Sequence, residues 1–69
     1  MNQNERILQH IQEHGSITAM EAMQEYGIMR LASRMCDIKK AGFAVRREDV
    51  KGKNRFGEET RFARYTIDA

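Results

Sequence analysis

The stretch TAMEAMQEYGIMRLASRMCDIKKAGF, residues 18–43, decides the fold. Thr18 followed by Glu21 matches a capping box, in which each side chain bonds the backbone of the other residue at a helix start. Gly27 suits the end of that helix because glycine readily adopts the left-handed conformation found there. Only about three or four residues separate this helix from the next helical segment, a spacing typical of two helices joined by a tight turn.

The segment after the turn predicts a two-sided helix that Gly42 ends. At about 100° per residue, Leu31, Met35 and Ile38 share one face, which we assign to the core. The opposite arc is polar and basic, and it consists of Arg30, Ser33, Arg34, Asp37 and Lys40. For the preceding helix we expect four residues inward: Ala19, Ala22, Met23 and Tyr26. We likewise interpret four methionines as core filler, namely Met20, Met23, Met29 and Met35.

On either side of this stretch, the pattern predicts one more helix and a β-hairpin. The first helix ends at Gly15, and Ser16-Ile17 is a short extended link. Two alternating segments, about residues 43–48 and 60–67, read as strands joined by a flexible polar loop with a basic tip. Their apolar face would pack on the helices through Phe43, Val45, Ala63, Tyr65 and Ile67. The prediction is one α+β, mostly α, domain over residues 1–69, with helices at about 4–14, 19–26 and 30–41.

Charge is distributed unevenly along the 69 residues, although the net charge is only +2. Residues 1–29 hold one basic and four acidic residues, whereas residues 30–69 hold eleven basic and six acidic residues. The later part is therefore the candidate polyanion-binding region. The chain shows no apolar run long enough to span a bilayer and no signal-peptide pattern, and its single cysteine excludes an internal disulfide, so we expect a cytoplasmic protein without membrane contact.

The chain resembles a winged helix-turn-helix domain, and in particular the small helix-turn-helix family of phage, prophage and bacterial proteins. The resemblance covers about residues 4–67. It is carried by TAMEA (18–22), YGI (26–28), RLASRM (30–35), DIKKAGF (37–43) and ARYTI (63–67). It implies double-stranded DNA as the partner, contacted through the third helix, with the hairpin as the wing.

Physical reasoning favours the same interface, because a major groove admits one α-helix and the early residues of that helix usually reach base edges. The predicted contacts of the third helix are Met29, Arg30, Ser33, Arg34, Asp37 and Lys40. Arg30 and Arg34 are candidate guanine readers; the alternatives are phosphate contacts or, for Arg34, an ion pair with Asp37.

Two further regions are candidates for phosphate contact. The wing would place Lys51, Lys53, Asn54 and Arg55 on the backbone or in the minor groove, unless the loop is simply solvated. Thr18 starts a helix whose backbone N–H groups suit a phosphate, although capping alone also explains it.

These residues predict a transcriptional regulator or recombination accessory factor. One such domain buries only about 600–1,000 Å² on DNA, so tight binding favours a homodimer or a partner protein, with the acidic first helix as a candidate dimer surface. The alternative is a protein-interaction module, such as a phage inhibitor of a host nuclease or polymerase.

A zinc-protease motif is mimicked by His10, Glu13 and His14, which match H-x-x-E-H. A catalytic zinc needs a third protein ligand and a substrate cleft, and the chain contains no other histidine. We therefore expect no metal, no cofactor and no enzymatic activity. We interpret Cys36 as a small packing residue on the flank of the third helix.

Overall fold

The computed structural model describes residues 2–68; the ends of the predicted domain, Met1 and Ala69, lie outside the described residues. The helices are α1 (Gln3–His14), α2 (Ala19–Tyr26) and α3 (Leu31–Lys40). The strands are β1 (Ile17–Thr18), β2 (Val45–Lys53) and β3 (Glu59–Ile67). The protein is thus a mostly helical α+β fold, in which three helices precede a hairpin of β2 and β3.

Local capping interactions fix where α2 begins and ends. The Thr18 hydroxyl accepts a hydrogen bond from the Glu21 backbone N–H at 3.2 Å, and the Glu21 carboxylate accepts one from the Thr18 N–H at 2.9 Å. Gly27 ends the helix at φ 68°, in the left-handed region. The predicted capping box is therefore formed, and it sets the position of the turn that leads into α3.

The core joins all three helices to β1 and to the turn before α3. Its buried apolar members are Ile7, Ile11, Ile17, Ala22, Ile28, Leu31, Met35 and Ile38. From the sheet, Val45, Tyr65 and Ile67 pack against this cluster. Phe43, predicted to join that face, is 43% exposed and precedes β2 instead. The inner face of α3 is thus held by packing, which leaves its other face free.

The predicted inward face of α2 is partly wrong. Ala22 is fully buried and Tyr26 half-buried, but Ala19 and Met23 are exposed. Met23 lies about 100° around the helix from Ala22, so the contact that buries Ala22 leaves Met23 at the rim.

The interpretation of the methionines as core filler is wrong for three of the four. Met20 is 65%, Met23 46% and Met29 76% exposed, whereas Met35 is buried. The core cluster is built mainly from isoleucines, and Met35 is the one methionine of the four that belongs to it.

The sheet has three strands, in the order β1-β3-β2, and all pairs are antiparallel. The predicted link at Ser16-Ile17 contributes to a strand, since Ile17 pairs with Tyr65 and Thr18 with Arg64. β1 ends there, so β3 has only β2 beside it from Ala63 outward. Beyond that point the hairpin continues as a two-stranded wing.

The hairpin is longer than the sequence predicts. Pairing runs from Val45 with Ile67 to Lys53 with Glu59, so most of the predicted loop at 48–60 is strand. Only residues 54–58, here called the tip loop, join the two strands. Backbone hydrogen bonds extend the strands here. The sequence does not predict this extension, because charged residues interrupt the alternation of apolar and polar side chains. The molecule measures 39 × 22 × 21 Å, elongated as a projecting wing requires.

Candidate nucleic-acid interface

The outer face of α3 is exposed to solvent. Its inner residues Leu31, Met35 and Ile38 are each 2% exposed. The exposed residues of the helix are Ala32, Ser33, Cys36, Asp37, Lys39 and Lys40. A helix held along one side and open along the other is the geometry that a DNA groove accepts.

Met29 and Arg30 lie at the start of α3 and are also exposed. Arg30 is the N-cap residue, and its side chain makes no capping hydrogen bond. Ser33 and Lys40 follow on the outer face. With Asp37, the structure therefore brings five of the six predicted helix residues together on one open surface.

Arg34 lies on the flank of α3 rather than on its outer face. It is half-buried, and its Nη1 atom is 3.6 Å from the Asp37 Oδ2 atom. It also lines a surface depression with Asn2, Gln3 and Asn4 at the start of α1. The ion pair considered as an alternative is thus present, and it joins Arg34, the sixth predicted residue, to the exposed Asp37.

Cys36 is exposed on the outer face, so its interpretation as a packing residue is wrong. It lies about 140° around the helix from Leu31, so its side chain points away from the core. Helical spacing alone therefore predicts that Cys36 is exposed. The same spacing places Ala32 at the edge of the outer face of α3. Both residues are additions to the predicted interface.

The predicted basic residues of the wing divide into strand and tip-loop residues. Lys51 and Lys53 lie on β2, and only Asn54 and Arg55 belong to the tip loop. The Lys51 ammonium is 3.7 Å from the Glu59 carboxylate. Within residues 2–68, Lys53 and Arg55 make no ion pair.

Asn54 organises the tip loop. Its Oδ1 atom accepts hydrogen bonds from the backbone N–H groups of Phe56 at 2.9 Å and Glu58 at 3.0 Å. The Asn54 N–H donates to the Glu58 carbonyl at 3.0 Å, and Gly57 adopts φ 78°. The side-chain oxygen of Asn54 is therefore bonded within the tip loop, and its neighbours Arg55 and Phe56 are exposed to solvent.

Phe56 is a tip-loop residue that the sequence reasoning missed. It is 74% exposed, and the Arg55 guanidinium carbon lies 5.2 Å from the centre of its ring. The sequence does indicate an exposed ring here, since Phe56 follows the three polar residues 53–55 and precedes Gly57, as in a turn.

Thr18 is half-buried, with its hydroxyl committed to the Glu21 N–H. The capping interpretation therefore describes its side chain in this structure. The next two residues, Ala19 and Met20, are exposed, so the first turn of α2 is open to solvent.

The histidines of the H-x-x-E-H motif have separate environments. His10 is 4% exposed, and its Nδ1 atom shares a hydrogen bond with the Tyr26 hydroxyl at 2.7 Å. Its Nε2 atom lies 3.8 Å from the Glu21 carboxylate, and its ring lies 4.5 Å from the exposed His14 ring. Across residues 2–68, no group of three or more His, Cys, Asp or Glu side chains is placed to hold a metal ion. His10 instead joins α1 to α2.

No helix within residues 2–68 has the length and apolar character needed to cross a bilayer.

A family model described as a winged helix-turn-helix domain matches residues 2–69. Comparison with curated proteins and with solved structures gave no match. The match spans every element described above and confirms the fold that the sequence predicts.

Proposed function

Because the chain belongs to the winged helix-turn-helix domain family, a family that suggests DNA binding in general, we propose that it inserts α3 into the major groove of double-stranded DNA. The wing then lies on the adjacent backbone or in the minor groove. The observation that carries the proposal is the open outer face of α3, opposite a stripe that is 2% exposed. A helix anchored in this way enters a groove about 12 Å wide without disturbing the core.

Electrostatics supports contact through both α3 and the wing. Within residues 2–68, four of the predicted cations are free of ion pairs: Arg30, Lys40, Lys53 and Arg55. Arg34 and Lys51 each have a carboxylate partner already. With Arg30 kept for base reading, three cations remain for phosphates, so log K should fall with log salt at a slope of about −2.7.

Base reading is assigned to the start of α3. Arg30 is exposed and uncapped, so its guanidinium is free to pair with guanine O6 and N7. Ser33 lies one turn further along the same face. Arg34 must leave Asp37 before it contacts a base, so we assign it the weaker role.

The biological role that follows is a small transcriptional regulator or a recombination accessory factor in a bacterial or phage-infected cytoplasm. A single domain buries about 600–1,000 Å² on DNA, so we propose that two copies bind paired half-sites one helical turn apart. No enzymatic step is part of this proposal.

A selection on random duplex DNA, followed by fluorescence anisotropy, tests the proposed function. Wild type should enrich one motif, and Arg30→Ala should lose the preference for that motif by about 5- to 150-fold. Arg46→Ala is the matched control, since it removes an exposed arginine that pairs with Asp68 near the base of the hairpin. Absence of any duplex binding by the wild type would refute the proposal.

A second candidate function, a protein-interaction module, is favoured by an apolar groove between α2 and the wing. The groove, of about 550 Å³, is lined chiefly by Thr18, Ala19, Met20, Gly52, Thr60 and Phe62. Lys53 and Arg61 also line it, which suits a partner with an apolar segment and acidic flanks. Biolayer interferometry against purified host nucleases and polymerases tests this role, with Met20→Glu expected to abolish a stoichiometric complex that wild type forms.

A further inference from the structure

Phe56 is a large apolar side chain held away from the core. It lies in the tip loop, at the end of the two-stranded wing, and is 74% exposed. An aromatic ring in water gains nothing for the fold in that position, because hydrophobic stabilisation comes from area removed from water. A ligand that covers the ring would gain the hydrophobic stabilisation that the fold leaves unused.

The tip loop holds the ring in a defined place. Asn54 accepts from two backbone N–H groups and donates its own N–H to Glu58, and the Gly57 N–H donates to the Asn54 carbonyl at 3.0 Å. The side-chain N–H₂ of Asn54 also donates to the Glu58 carboxylate at 3.4 Å. A loop ordered before binding loses little further entropy when its ring meets a ligand.

The charges around Phe56 indicate the kind of ligand. The Arg55 guanidinium lies over the ring, and Lys53 is the last residue of β2. Residues 51–61 contain four cations and two anions, one of which pairs with Lys51 and the other with Asn54. An aromatic ring beside a guanidinium is the combination that stacks on nucleobases while a phosphate is neutralised.

We propose that Phe56 stacks on a nucleobase at a step that the wing partly unstacks, with Arg55 on the flanking phosphate. The inference deepens the proposed function and rests on it, since the base belongs to the duplex that α3 holds. Apolar side chains that enter between base steps from the minor groove are a known way of kinking DNA. The positive charge around the ring favours a nucleobase as the occupant, because a base comes with its own phosphates.

Comparing wild type with two variants of Phe56 separates aromatic stacking from simple hydrophobic contact. Phe56→Leu keeps an apolar side chain and removes the aromatic face, whereas Phe56→Tyr keeps the aromatic face. Circular dichroism should be unchanged for both, because the ring makes no core contact. We expect Phe56→Leu to bind the selected duplex more weakly, by less than the roughly 5- to 150-fold that removal of a whole stacking side chain costs, and Phe56→Tyr to bind it like the wild type.

A second duplex makes the readout specific. It carries one mismatch at the base step beneath the wing, where unstacking is easier. Wild type and Phe56→Tyr should prefer the mismatched duplex, and Phe56→Leu should not. The slope of log K against log salt should be the same for all three proteins, because no phosphate contact is removed.

The outcomes distinguish this inference from the proposed function. Wild-type binding to the selected duplex reports on the proposed function, and its absence overturns both. Equal affinities of wild type and Phe56→Leu on both duplexes overturn the stacking inference alone. Binding to phosphatidylserine vesicles that only Phe56→Leu loses, with duplex affinity unchanged, would assign the ring to a membrane surface and overturn it as well.

Discussion

Lys51 and Lys53 form a natural matched pair for testing how the wing binds DNA. They lie two residues apart on β2, so their side chains leave the same face of the sheet. The Glu59 carboxylate is 3.7 Å from Lys51, whereas Lys53 makes no ion pair within residues 2–68. Replacing Lys53 by glutamine should therefore remove one free cation from the wing and weaken binding to all DNA sequences evenly.

The magnitude follows from the number of free cations. Each phosphate contact contributes about 0.9 to the slope of log K against log salt, so the three contacts of wild type give about −2.7 and the two of Lys53→Gln give about −1.8. Between 50 and 200 mM salt, the affinity advantage of wild type over Lys53→Gln should shrink by a factor of about 3.5.

Fluorescence anisotropy titrations at several KCl concentrations measure these slopes directly. The control is the double variant Lys51→Gln with Glu59→Gln, which removes one positive and one negative charge together. It should keep the wild-type slope, because the net charge of the wing is unchanged. An unaltered slope for Lys53→Gln, or an equal loss of slope in the control, would refute the assignment of Lys53 to a phosphate.

Three further predictions concern the scaffold that holds α3. Thr18→Ala removes the α2 cap and should lower stability by about 1 kcal/mol, seen as a fall in Tm of about 4–8 °C; an unchanged Tm would contradict this. Ile38→Asp places a charge in the core and should abolish the far-UV helical signal, whereas a folded variant would show that α3 buries another face. Tyr26→Phe leaves the buried Nδ1 of His10 without its partner and should lower the free energy of unfolding in urea by about 1–3 kcal/mol; an unchanged value would contradict this.

Helix ends and the inner face of α3 were predictable because their signals are local. The capping pair Thr18 and Glu21 needs only residues three positions apart, and both of its hydrogen bonds are present. The stripe of Leu31, Met35 and Ile38 needs only helical spacing. In both cases, residues close together in the sequence determine the structure that forms.

The length of the wing was not predictable from side-chain pattern. Lys51, Gly52 and Lys53 show no apolar alternation, yet all three are paired with β3. Backbone hydrogen bonds hold this part of the hairpin, and Phe62 covers the glycine, since a Cβ added at Gly52 would lie 3.3 Å from its ring. Such cross-strand contacts depend on register, which distant residues determine.

The candidate interface was predictable in outline only. The spacing of Arg34 and Asp37 suits either a shared DNA-facing surface or an ion pair, and only the structure shows that the pair forms, with Arg34 beside the start of α1. For α2, periodicity gives the angles between residues but not which arc the core accepts. The exposure of Met20 and Met23 was therefore not predictable, because their spacing also fits a buried face.

The central position of β3 has a consequence for how the domain is made. Both β1 and β2 pair with β3, which follows every other described element along the chain. During synthesis the helices can form early, but the sheet has to wait until β3 emerges. The β2–β3 hairpin closes a short loop, whereas pairing of Ile17 with Tyr65 spans most of the domain and costs more chain entropy. We therefore expect the hairpin to nucleate the sheet and β1 to join it last, so that the tightly buried Ile17 reports on completion of folding.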